Sequence, residues 1–451
     1  MAGGWPQNKS SGVYQIFSRD SSLMVAIDTI WGLFRSRRLS ADELQSLRDR
    51  KLRMIIRHAF ETVPYYHALF TSAGLSPEDV QSSDDLKRIP VTAKEDLTAA
   101  GLDNALTRGT EKGACFISRT SGSSGKPFST YLGRRERTIR RLLGLRRLVD
   151  AGFRPLDRVC ILCDPTQLQG RRFRTRYLSL VLPAQKQIEF LQEMQPTILK
   201  AWPSCLRVLL HHASYQLGRF IQPRIVATSG EICDEEFRRA LAADLKAEVF
   251  DFYGAGEFGP IASECRAHRG LHVNADQLMV ECLDDDQPTG TCGSGEIVIT
   301  SLYSFTMPFI RYRIGDRGSI QERPCPCGSS FPLLTSLQGQ RNYTAALPDG
   351  RLLSIAALVN TALRPFPTLH KFRLIQESVA QFVLETVFLE QPTAEIISRI
   401  RSRMCDSLGS GVRLDIAVVD SIDEEGVRKF GNFVSRLSDG DENGPLVPGN
   451  N

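Results

Sequence analysis

The sequence predicts an α/β protein with a large N-terminal domain and a small C-terminal domain. Between residues 158 and 252, short apolar runs typical of buried strands alternate with stretches typical of helices, which favours a largely parallel sheet. Residues 278–322 have a more purely β pattern, and a smaller set of strands and helices begins near residue 339. A chain of 451 residues is long enough for two or more such domains.

The first predicted element is a helical segment over residues 41–73, preceded by an N-terminal extension of residues 1–38. Apolar residues recur in this segment near helical spacing, and Ser40 or Asp42 can cap its first turn. Residues 1–20 lack the apolar core of a signal peptide and are expected to be flexible. Leu23–Phe34 is apolar but too short to span a bilayer, so it is expected to pack on the protein body or, as the alternative, on a membrane or a partner.

Strands and helices then alternate through the large domain. Gly-rich turns directly follow the strands, as in sheets that bind ligands at the carboxyl ends of parallel strands. The predicted strands are Arg158–Leu162, Arg224–Thr228 and Glu248–Phe252, and the helices between them are Ser204–Leu217 and Asp234–Leu245.

The small unit is predicted over residues 339–437, and the polar, Gly/Asn/Pro-rich residues 438–451 are expected to form a disordered tail. Its predicted elements are strands Lys371–Ile375 and Gln381–Phe388, helix Ala394–Leu408 and strand Arg413–Val419.

Composition excludes several classes of protein. Lys and Arg outnumber Asp and Glu by only 56 to 51, too small an excess to predict a nucleic-acid partner. Eleven cysteines, an odd number spread along the chain, do not have the pattern of a disulfide framework. We therefore expect a cytoplasmic protein with no nucleic-acid partner and no membrane span.

Seven arginines lie close together on the helix that is expected after residue 133. Such a cluster is either a solvated helix face or a basic surface that guides an anionic substrate or cofactor. The seven are Arg134, Arg135, Arg137, Arg140, Arg141, Arg146 and Arg147.

The segment Ser118–Pro127 predicts a loop that holds a polyphosphate. Gly122 and Gly125 let the backbone turn and approach a ligand, while the hydroxyl groups and Lys126 add donors for phosphate oxygens. The spacing differs from that of a P-loop, because only two residues separate the glycines and Pro127 follows the lysine. Taken alone, the segment is equally compatible with a Ser/Gly surface turn.

Four segments in this order resemble the signature segments of the adenylate-forming enzymes, which include acyl-CoA synthetases, adenylation domains and luciferases. They are Thr120–Pro127, Thr228–Glu231, Tyr253–Glu257 and Arg311–Asp316. Within this superfamily the chain is most similar to the branch of phenylacetate–CoA ligase, coenzyme F390 synthetase and capsule-biosynthesis relatives. That similarity rests on Val63–Tyr66, Leu86–Lys94, Glu257–His272 and Cys325–Gly328, and the resemblance covers roughly residues 40–435.

The resemblance implies a multi-sheet N-terminal adenylate-forming domain (39–338) and a small mobile α+β C-terminal domain (339–437). It implies an ATP-dependent, AMP-forming ligase that uses Mg²⁺, activates a small carboxylic acid as an acyl-adenylate and transfers it to CoA or another thiol; a homodimer is compatible with it. The alternatives are a ligase that forms an amide or hands the adenylate to a partner, and a non-catalytic relative. A kinase or P-loop NTPase is disfavoured by the glycine spacing.

The resemblance also implies a role for each signature residue. Tyr253, followed by Gly254, brackets the nucleotide, Glu257 supplies the hard oxygen that Mg²⁺ prefers, and Asp316 accepts the ribose hydroxyls. The β- and γ-phosphates are held by Thr120, Ser121, Gly122, Ser123, Ser124, Gly125 and Lys126, and the adenine is walled by Ser229, Gly230 and Glu231.

The C-terminal contributions depart from the family pattern. A catalytic lysine is expected after a glycine near the chain end, and Lys429 is the candidate although Arg428 stands where the glycine is expected. The hinge has Gly339-Gln340-Arg341-Asn342, in which Arg341 can contact the nucleotide but the acidic hinge residue is missing. This departure favours the CoA-independent alternatives.

A structural zinc site is predicted from Cys325 and Cys327. A structural zinc ion usually takes four ligands from Cys and His, and Cys265 with either His272 or His268 completes the set. Similar cysteines occur in the phenylacetate–CoA ligase branch, and His272 is the preferred histidine.

The acid itself cannot be named from the sequence. The resemblance places its pocket near residues 202–260, where apolar side chains suit an aryl or medium acyl group, although core packing accounts for at least half of them. These side chains are Trp202, Pro203, Phe252, Phe258 and Ile261.

Overall fold

The structure is a computed structural model. It describes residues 32–120, 128–163, 174–180, 182–284, 287–288, 294–338, 344–363, 366, 368–388, 390–422 and 433–437.

The predicted helical segment at the N-terminus forms two helices, α1 (Ala41–Thr62) and α2 (Pro64–Ser72). Ser40 caps α1 in a reciprocal capping box with Glu43, an arrangement that stabilises a helix by about 1 kcal/mol. The break at Val63 follows from Pro64, which has no N–H to donate into the preceding turn but suits the first position of a new helix. Sequence periodicity does not reveal this break. The structure therefore divides into two helices what the sequence predicts as one helical segment.

Residues 33–37, assigned to the extension in the prediction, pack against the body. Leu33 is 3% exposed, Ser36 donates to Asp276 Oδ2 at 2.8 Å, and Arg37 pairs with Asp150. The short helices α3 (Lys94–Ala100) and α4 (Leu102–Ala105) follow. Next comes a hairpin of two antiparallel strands, β1 (Phe116–Thr120) and β2 (Phe128–Leu132).

Twelve strands of the described residues form one large sheet. They are β3 (Val159–Cys163), β4 (Thr175–Ser179), β5 (Ile198–Ala201), β6 (Ile225–Ser229), β7 (Glu248–Ala255), β8 (Gly259–Glu264), β9 (Leu271–Val273), β10 (Leu278–Asp284), β11 (Gln287–Pro288), β12 (Ser294–Ser301), β13 (Tyr312–Gln321) and β14 (Leu333–Gln338).

The sheet is mixed, with the strand order β11-β10-β12-β13-β14-β9-β8-β7-β6-β5-β3-β4. Strands β4, β3, β5, β6 and β7 are parallel, and every pairing from β7 to β11 is antiparallel. The prediction of a largely parallel sheet therefore holds only for the part where helices alternate with strands. Antiparallel strands need no crossover helix, and the described residues between 259 and 338 contain none.

Helices cover the parallel part of the sheet. They are α5 (Arg134–Asp150), α6 (Ala184–Met194), α7 (Pro203–His212) and α8 (Glu235–Leu245). The strands bury residues on both faces, as parallel sheets do: Leu199 and Val226 pack under α7 and α8, whereas Ile198 and Ala227 lie in a cluster with residues that follow α5.

A second sheet belongs to the C-terminal part of the chain. Strands β17 (Leu369–Ser378), β18 (Gln381–Phe388), β19 (Arg413–Val418) and β20 (Phe433–Ser435) pair in the order β19-β18-β17-β20, after the hairpin of β15 (Thr344–Ala346) and β16 (Leu352–Ser354) and the short helix α9 (Ile355–Leu358). Helix α10 (Ala394–Leu408) packs on this sheet through Ile400, Met404 and Leu408. The two sheets separate between residues 338 and 344, next to the predicted boundary at 339; the boundaries themselves stay a prediction.

None of the helices in the described ranges combines the length and the apolar character that crossing a bilayer requires.

Candidate active site and metal cluster

In the chain, the predicted phosphate loop falls between β1 and β2. Thr120 is paired with Phe128, so residues 121–127 connect the two strands at the end of the hairpin. The residues Ser121, Gly122, Ser123, Ser124, Gly125 and Lys126 themselves, with the side chain of Thr120, lie outside the described residues.

The segment after β6 makes a turn at Gly230, whose φ is +86°. A Cβ on this residue would stand 3.1 Å from Trp202 Nε1, a tight contact, and the positive φ itself favours glycine at this point. Glu231 accepts hydrogen bonds from the backbone N–H and the hydroxyl of Ser204, both at 2.8 Å. Its carboxylate therefore caps α7, where the helix dipole favours an anion, and burial raises its pKa. The predicted adenine wall therefore rests on the backbone of Ser229 and Gly230 and stays a prediction.

The end of β7 with the turn that follows it, and the start of β13, are joined through two tyrosine–carboxylate pairs. Tyr253 Oη donates to Asp316 Oδ2 at 2.7 Å, and the hydroxyl of Tyr312 hydrogen-bonds to the carboxylate of Glu257. Each segment thus has a tyrosine and, four residues later, a carboxylate that binds the tyrosine of the other segment. Burial and the neighbouring carboxylate together raise the pKa of Tyr253, and they do the same for Tyr312, so both tyrosines remain donors.

Two glycines allow these two segments to approach each other closely. A Cβ on Gly254 would lie 2.5 Å from the carbonyl oxygen of Gly259, which no side chain tolerates. Gly315 has a φ of +92° directly before Asp316, a conformation that other residues rarely adopt. The two glycines therefore allow the β7 turn to close on itself and the Asp316 carboxylate to face Tyr253.

Glu257 is a carboxylate in an unfavourable environment. Burial raises its pKa, Arg140 and Lys94 counteract that shift, and the charge of Asp316 reinforces it. A partly desolvated carboxylate of this kind gains free energy when a cation approaches it. The residue type and its surroundings thus fit a divalent cation with oxygen ligands.

Arg140 of α5 holds the turn that carries Glu257, a role that the sequence pattern did not reveal. Its guanidinium donates to the carbonyl of Gly256 at 2.8 Å and to that of Glu257, and its Nε donates to Tyr303 Oη at 3.1 Å. Tyr303 in turn donates to the carbonyl of Phe258 at 2.6 Å. The only sequence signal for this role was membership of Arg140 in the arginine cluster.

The arginine cluster is divided among several environments. Arg134, Arg135 and Arg141 are exposed and fit the solvated-face interpretation. Arg146, in contrast, is 1% exposed and pairs with Asp276 at 2.9 Å. One helix thus combines solvent-facing, structural and site-facing arginines.

The structure brings Cys265, His272, Cys325 and Cys327 together, with all four ligand atoms within 4.8 Å of one another. Cys265 Sγ lies 3.7 Å from Cys325 Sγ, and Cys327 Sγ lies 3.3 Å from His272 Nε2. Nδ1 of His272 lies 3.0 Å from the carbonyl oxygen of Phe331; donating to it leaves the lone pair of Nε2 for the cluster. Burial raises the pKa of Cys265 to about 12, so a bound cation is what would stabilise the thiolate.

His268, the other histidine considered, lies elsewhere. Its Nδ1 is 3.4 Å from Glu264 and its Nε2 is 3.3 Å from Glu248, and these carboxylates raise its pKa. Among the described residues the cluster therefore contains three cysteines and His272.

The predicted apolar lining is mostly core. Phe258 and Ile261 are fully buried in the cluster that contains Tyr253, and Phe252 is 1% exposed. Trp202 is half-buried and lies against Gly230, at the edge of the predicted site. A cavity of about 220 Å³ lies elsewhere, between α1 and α5, and shares no lining residue with the predicted site. Lys429 and Arg341 lie outside the described residues.

Comparison with known proteins gives relatives of one kind. A phenylacetate–coenzyme A ligase of Escherichia coli (strain K12) is 28% identical over 296 residues, 61% of this chain and 67% of the relative. The ligase of Aromatoleum evansii is 30% identical over 303 residues (61% and 66%), and that of Thermus thermophilus is 26% identical over 321 residues (67% and 71%). The matches thus span about two thirds of the length of these relatives. No family model matches the chain.

Among solved structures, 2-hydroxyisobutyryl-CoA ligase is similar in two states. The complex with 2-HIB-AMP and CoA in the thioesterification state has a TM-score of 0.63 at 19% identity, covering 89% of this chain and 91% of that one. The postadenylation complex with R3-HIB-AMP has a TM-score of 0.60 at 19% identity, covering 86% and 89%. At this identity the likeness shows the fold, and it confirms the prediction of a large α/β part with a small C-terminal sheet.

Proposed function

We propose, on the premise that the chain belongs to the adenylate-forming superfamily as a distant homologue of the phenylacetate–CoA ligases, that it activates an aryl or acyl carboxylic acid with ATP. The acid carboxylate attacks the α-phosphorus, forming an acyl–O–P bond as the bond to pyrophosphate breaks. A thiol then attacks the acyl carbon, and AMP leaves with the electron pair of the broken C–O bond. CoA is the first thiol to test, since the relatives are named for it.

The reciprocal tyrosine–carboxylate pairs are the observation that carries this proposal. Tyr253 and Asp316 are far apart in the chain, yet their 2.7 Å hydrogen bond joins two segments that resemble the nucleotide-binding signatures. A carboxylate offers about four acceptor positions, of which Tyr253 uses one, so Asp316 can also accept from ribose hydroxyls. Tyr253 thereby orients the Asp316 carboxylate, which accepts from the ribose hydroxyls.

Glu257 would hold Mg²⁺ beside the phosphates, and Arg140 would keep the Glu257 turn in place. The Mg²⁺ ion supplies charge neutralisation for the phosphate oxygens. Residues 120–126 would hold the β- and γ-phosphates, Arg341 would contact the nucleotide, and Lys429 would stabilise charge at the α-phosphate, in keeping with the resemblance. Positioning and electrostatics account for most of the catalysis in such a reaction.

Cys265, His272, Cys325 and Cys327 would hold a structural zinc ion. The donor set, its compactness and the contact of His272 with the Phe331 carbonyl fit that ion. The cluster would tie β8, β9 and the loop before β14 together, at the end of β8 opposite to the turn that carries Glu257. Its contribution is to fix this part of the sheet rather than to take part in the chemistry.

ATP–pyrophosphate exchange across aryl, fatty, hydroxy and amino acids, with and without CoA, tests the proposal. Acid-dependent exchange is expected, followed by consumption of CoA when the matching acid is present. Exchange without CoA consumption would favour amide formation or transfer to a partner, the alternative that the hinge sequence Gly339–Asn342 supports. Absence of exchange with every acid, in protein that binds ATP, would contradict the proposal.

A further inference from the structure

The cavity of about 220 Å³ between α1 and α5 lies apart from the candidate active site. Its inner wall includes Ile139 of α5, Leu302 and Tyr303, all of which are buried. The backbone N–H of Leu302 donates to the carbonyl of Gln277 at 2.9 Å, so this polar group is already paired. The inner part of the cavity therefore suits an apolar group.

Three cationic side chains line the same cavity. Arg50 and Lys51 come from α1, and Arg135 comes from α5. Because Arg50 and Arg135 are exposed, they mark the opening of the cavity. Lys51 is half-buried, and its Nζ donates to the carbonyl oxygen of Asp276 at 2.6 Å. An ammonium group has three donors, of which this contact uses one. The cavity thus combines an apolar inner wall with a cationic opening.

The surroundings of Lys51 favour the binding of an anion. Asp276 lies close to Lys51, but its carboxylate pairs with Arg146 at 2.9 Å. Burial lowers the pKa of Lys51 to about 8, against the opposing effect of Asp276. The positive charges of Arg146, Arg135 and Arg50 lower this pKa further. An anion in the opening would offset the repulsion among these cations and stabilise the charged ammonium group.

The size of the cavity limits the ligand that it can hold. Because an apolar cavity of about 150 Å³ holds a benzene molecule, a ring or a short branched chain fits here together with a carboxylate. A nucleotide and a long acyl chain are too large for this volume. The cations at the opening favour the carboxylate, since charge-assisted hydrogen bonds are roughly twice as strong as those to an uncharged group.

Tyr303 connects the cavity with the candidate active site. Its hydroxyl donates to the carbonyl of Phe258 at 2.6 Å and accepts from Arg140 Nε at 3.1 Å. Arg140 in turn donates to the carbonyls of Gly256 and Glu257. A ligand stabilises the conformation to which it binds. A ligand that packs against Tyr303 should therefore stabilise the arrangement in which Arg140 holds the Glu257 turn.

We propose that this cavity is a second ligand site, which binds a small carboxylate with an aryl or short alkyl body and conveys its occupancy to the Glu257 turn through Tyr303. The carboxylate lies among Arg50, Lys51 and Arg135, and the apolar body packs on the inner wall. The ligand is either the acid that the active site activates or a different acid of the same chemistry. The binding itself is independent of the proposed function, whereas its effect on catalysis rests on that function.

Equilibrium dialysis of the full-length protein without ATP tests the binding site. The radiolabelled probes are phenylacetate and 4-methylpentanoate, and each is compared with its uncharged amide. We expect each carboxylate to bind about tenfold or more tightly than its amide, the value of one charge-assisted contact.

Substitutions then assign the binding to the cavity. Lys51→Met and Arg50→Met are each expected to lower the affinity for the carboxylates about tenfold. Arg50 is exposed, so Arg50→Met keeps the test decisive even if Lys51→Met fails to fold. The matched control is Arg53→Met on the same helix, where the exposed Arg53 donates to the carbonyl of Gln81 at 2.8 Å instead of lining the cavity. This variant is expected to bind as the wild type does.

ATP–pyrophosphate exchange measures the effect on the active site and distinguishes the two sources of the ligand. A second carboxylate that binds in the cavity is expected to raise exchange kcat/KM about fivefold or more, and Arg50→Met is expected to abolish this increase. If the activated acid is itself the ligand, the exchange rate should rise sigmoidally with its concentration in the wild type and hyperbolically in Arg50→Met.

Each negative result overturns a different part of the inference. Carboxylates that bind no more tightly than their amides, or that bind Arg50→Met as tightly as the wild type, would refute the site and leave the proposed function intact. Binding that leaves exchange unchanged would refute the connection through Tyr303. Absence of exchange with every acid would refute the proposed function and with it the effect on catalysis, while dialysis would still decide the binding site.

Discussion

Two clusters of side chains flank strand β8, and they differ in the kind of ion that they suit. Before β8, Glu257 and Asp316 are carboxylates that each accept a hydrogen bond from a tyrosine of the other's segment, and burial raises the pKa of Glu257. After β8, three thiols and one imidazole point at one another with their ligand atoms within 4.8 Å. In the proposed function, the first cluster offers its negative charge to an exchangeable ligand. The second is closed around a single point and suits a permanent ion.

The comparison teaches that adjacency in the sheet does not imply a shared role. Substitutions in the first cluster should change exchange kinetics more than stability, and substitutions in the second should do the reverse.

The largest effect is expected from Glu257→Gln. Glutamine keeps the size and an oxygen that accepts from Tyr312, but it removes the charge that Mg²⁺ requires. Because one metal contact contributes several kcal/mol, we expect exchange kcat/KM to fall by about 100-fold or more while the Tm stays close to wild type. Glu193→Gln on the exposed side of α6 serves as the matched control. A variant with wild-type exchange would remove Glu257 from the metal role.

The corresponding prediction for the second cluster concerns the loss of its metal ion. Cys327 is the exposed member of the set, so Cys327→Ser alters stability mainly through the cluster. We expect zinc to fall from one equivalent to below about half, and the Tm to fall by roughly 5 °C or more. Cys115→Ser, outside the cluster, controls for loss of a thiol. Wild-type protein with little zinc by elemental analysis, or an unchanged Tm in the variant, would contradict the structural role.

Much of this arrangement could be predicted from sequence, and the exceptions share a cause. Strands such as Glu248–Phe252 and helix Ala394–Leu408 follow local periodicity, and the structure places them within a few residues of the prediction. The antiparallel half of the sheet could not be predicted in the same way, because its strand order depends on contacts between distant segments. For this reason β9, with only three residues, was missed although it carries His272.

The roles of side chains could likewise not be predicted where they depend on contacts between distant segments. The resemblance placed Glu231 near the adenine, but Ser204 at the start of α7 engages its carboxylate. Arg140 was one of seven clustered arginines until its hydrogen bonds to the Glu257 turn distinguished it. The partner lies 27 residues away in the first case and 116 or 117 in the second, where neither spacing nor composition reports contact.

Tyr253→Phe should have a smaller effect, which falls mainly on the KM for ATP. It removes the donor to Asp316 and leaves the ring in its buried position, 8% exposed. A hydrogen bond to a charged group contributes about 1.5–3 kcal/mol, and only part of this is lost if a ribose hydroxyl replaces the donor. We therefore expect the KM for ATP to rise about tenfold with a smaller change in kcat. Tyr215→Phe at the surface is the control, and an unchanged KM for ATP would show that Tyr253 does not orient Asp316.

The smallest effect is a shift in pH dependence that Mg²⁺ should control. Burial and Asp316 raise the pKa of Glu257, so its carboxylate takes up a proton at a higher pH than an ordinary glutamate. Exchange should therefore decline as the pH falls through this raised pKa, because the protonated form cannot bind the metal. Proton and metal compete for one oxygen, and increasing the concentration of Mg²⁺ should move the acidic limb of the profile to lower pH. An acidic limb that is independent of Mg²⁺ would assign the titration to a group other than Glu257, and would weaken the contrast between an exchangeable ion before β8 and a permanent one after it.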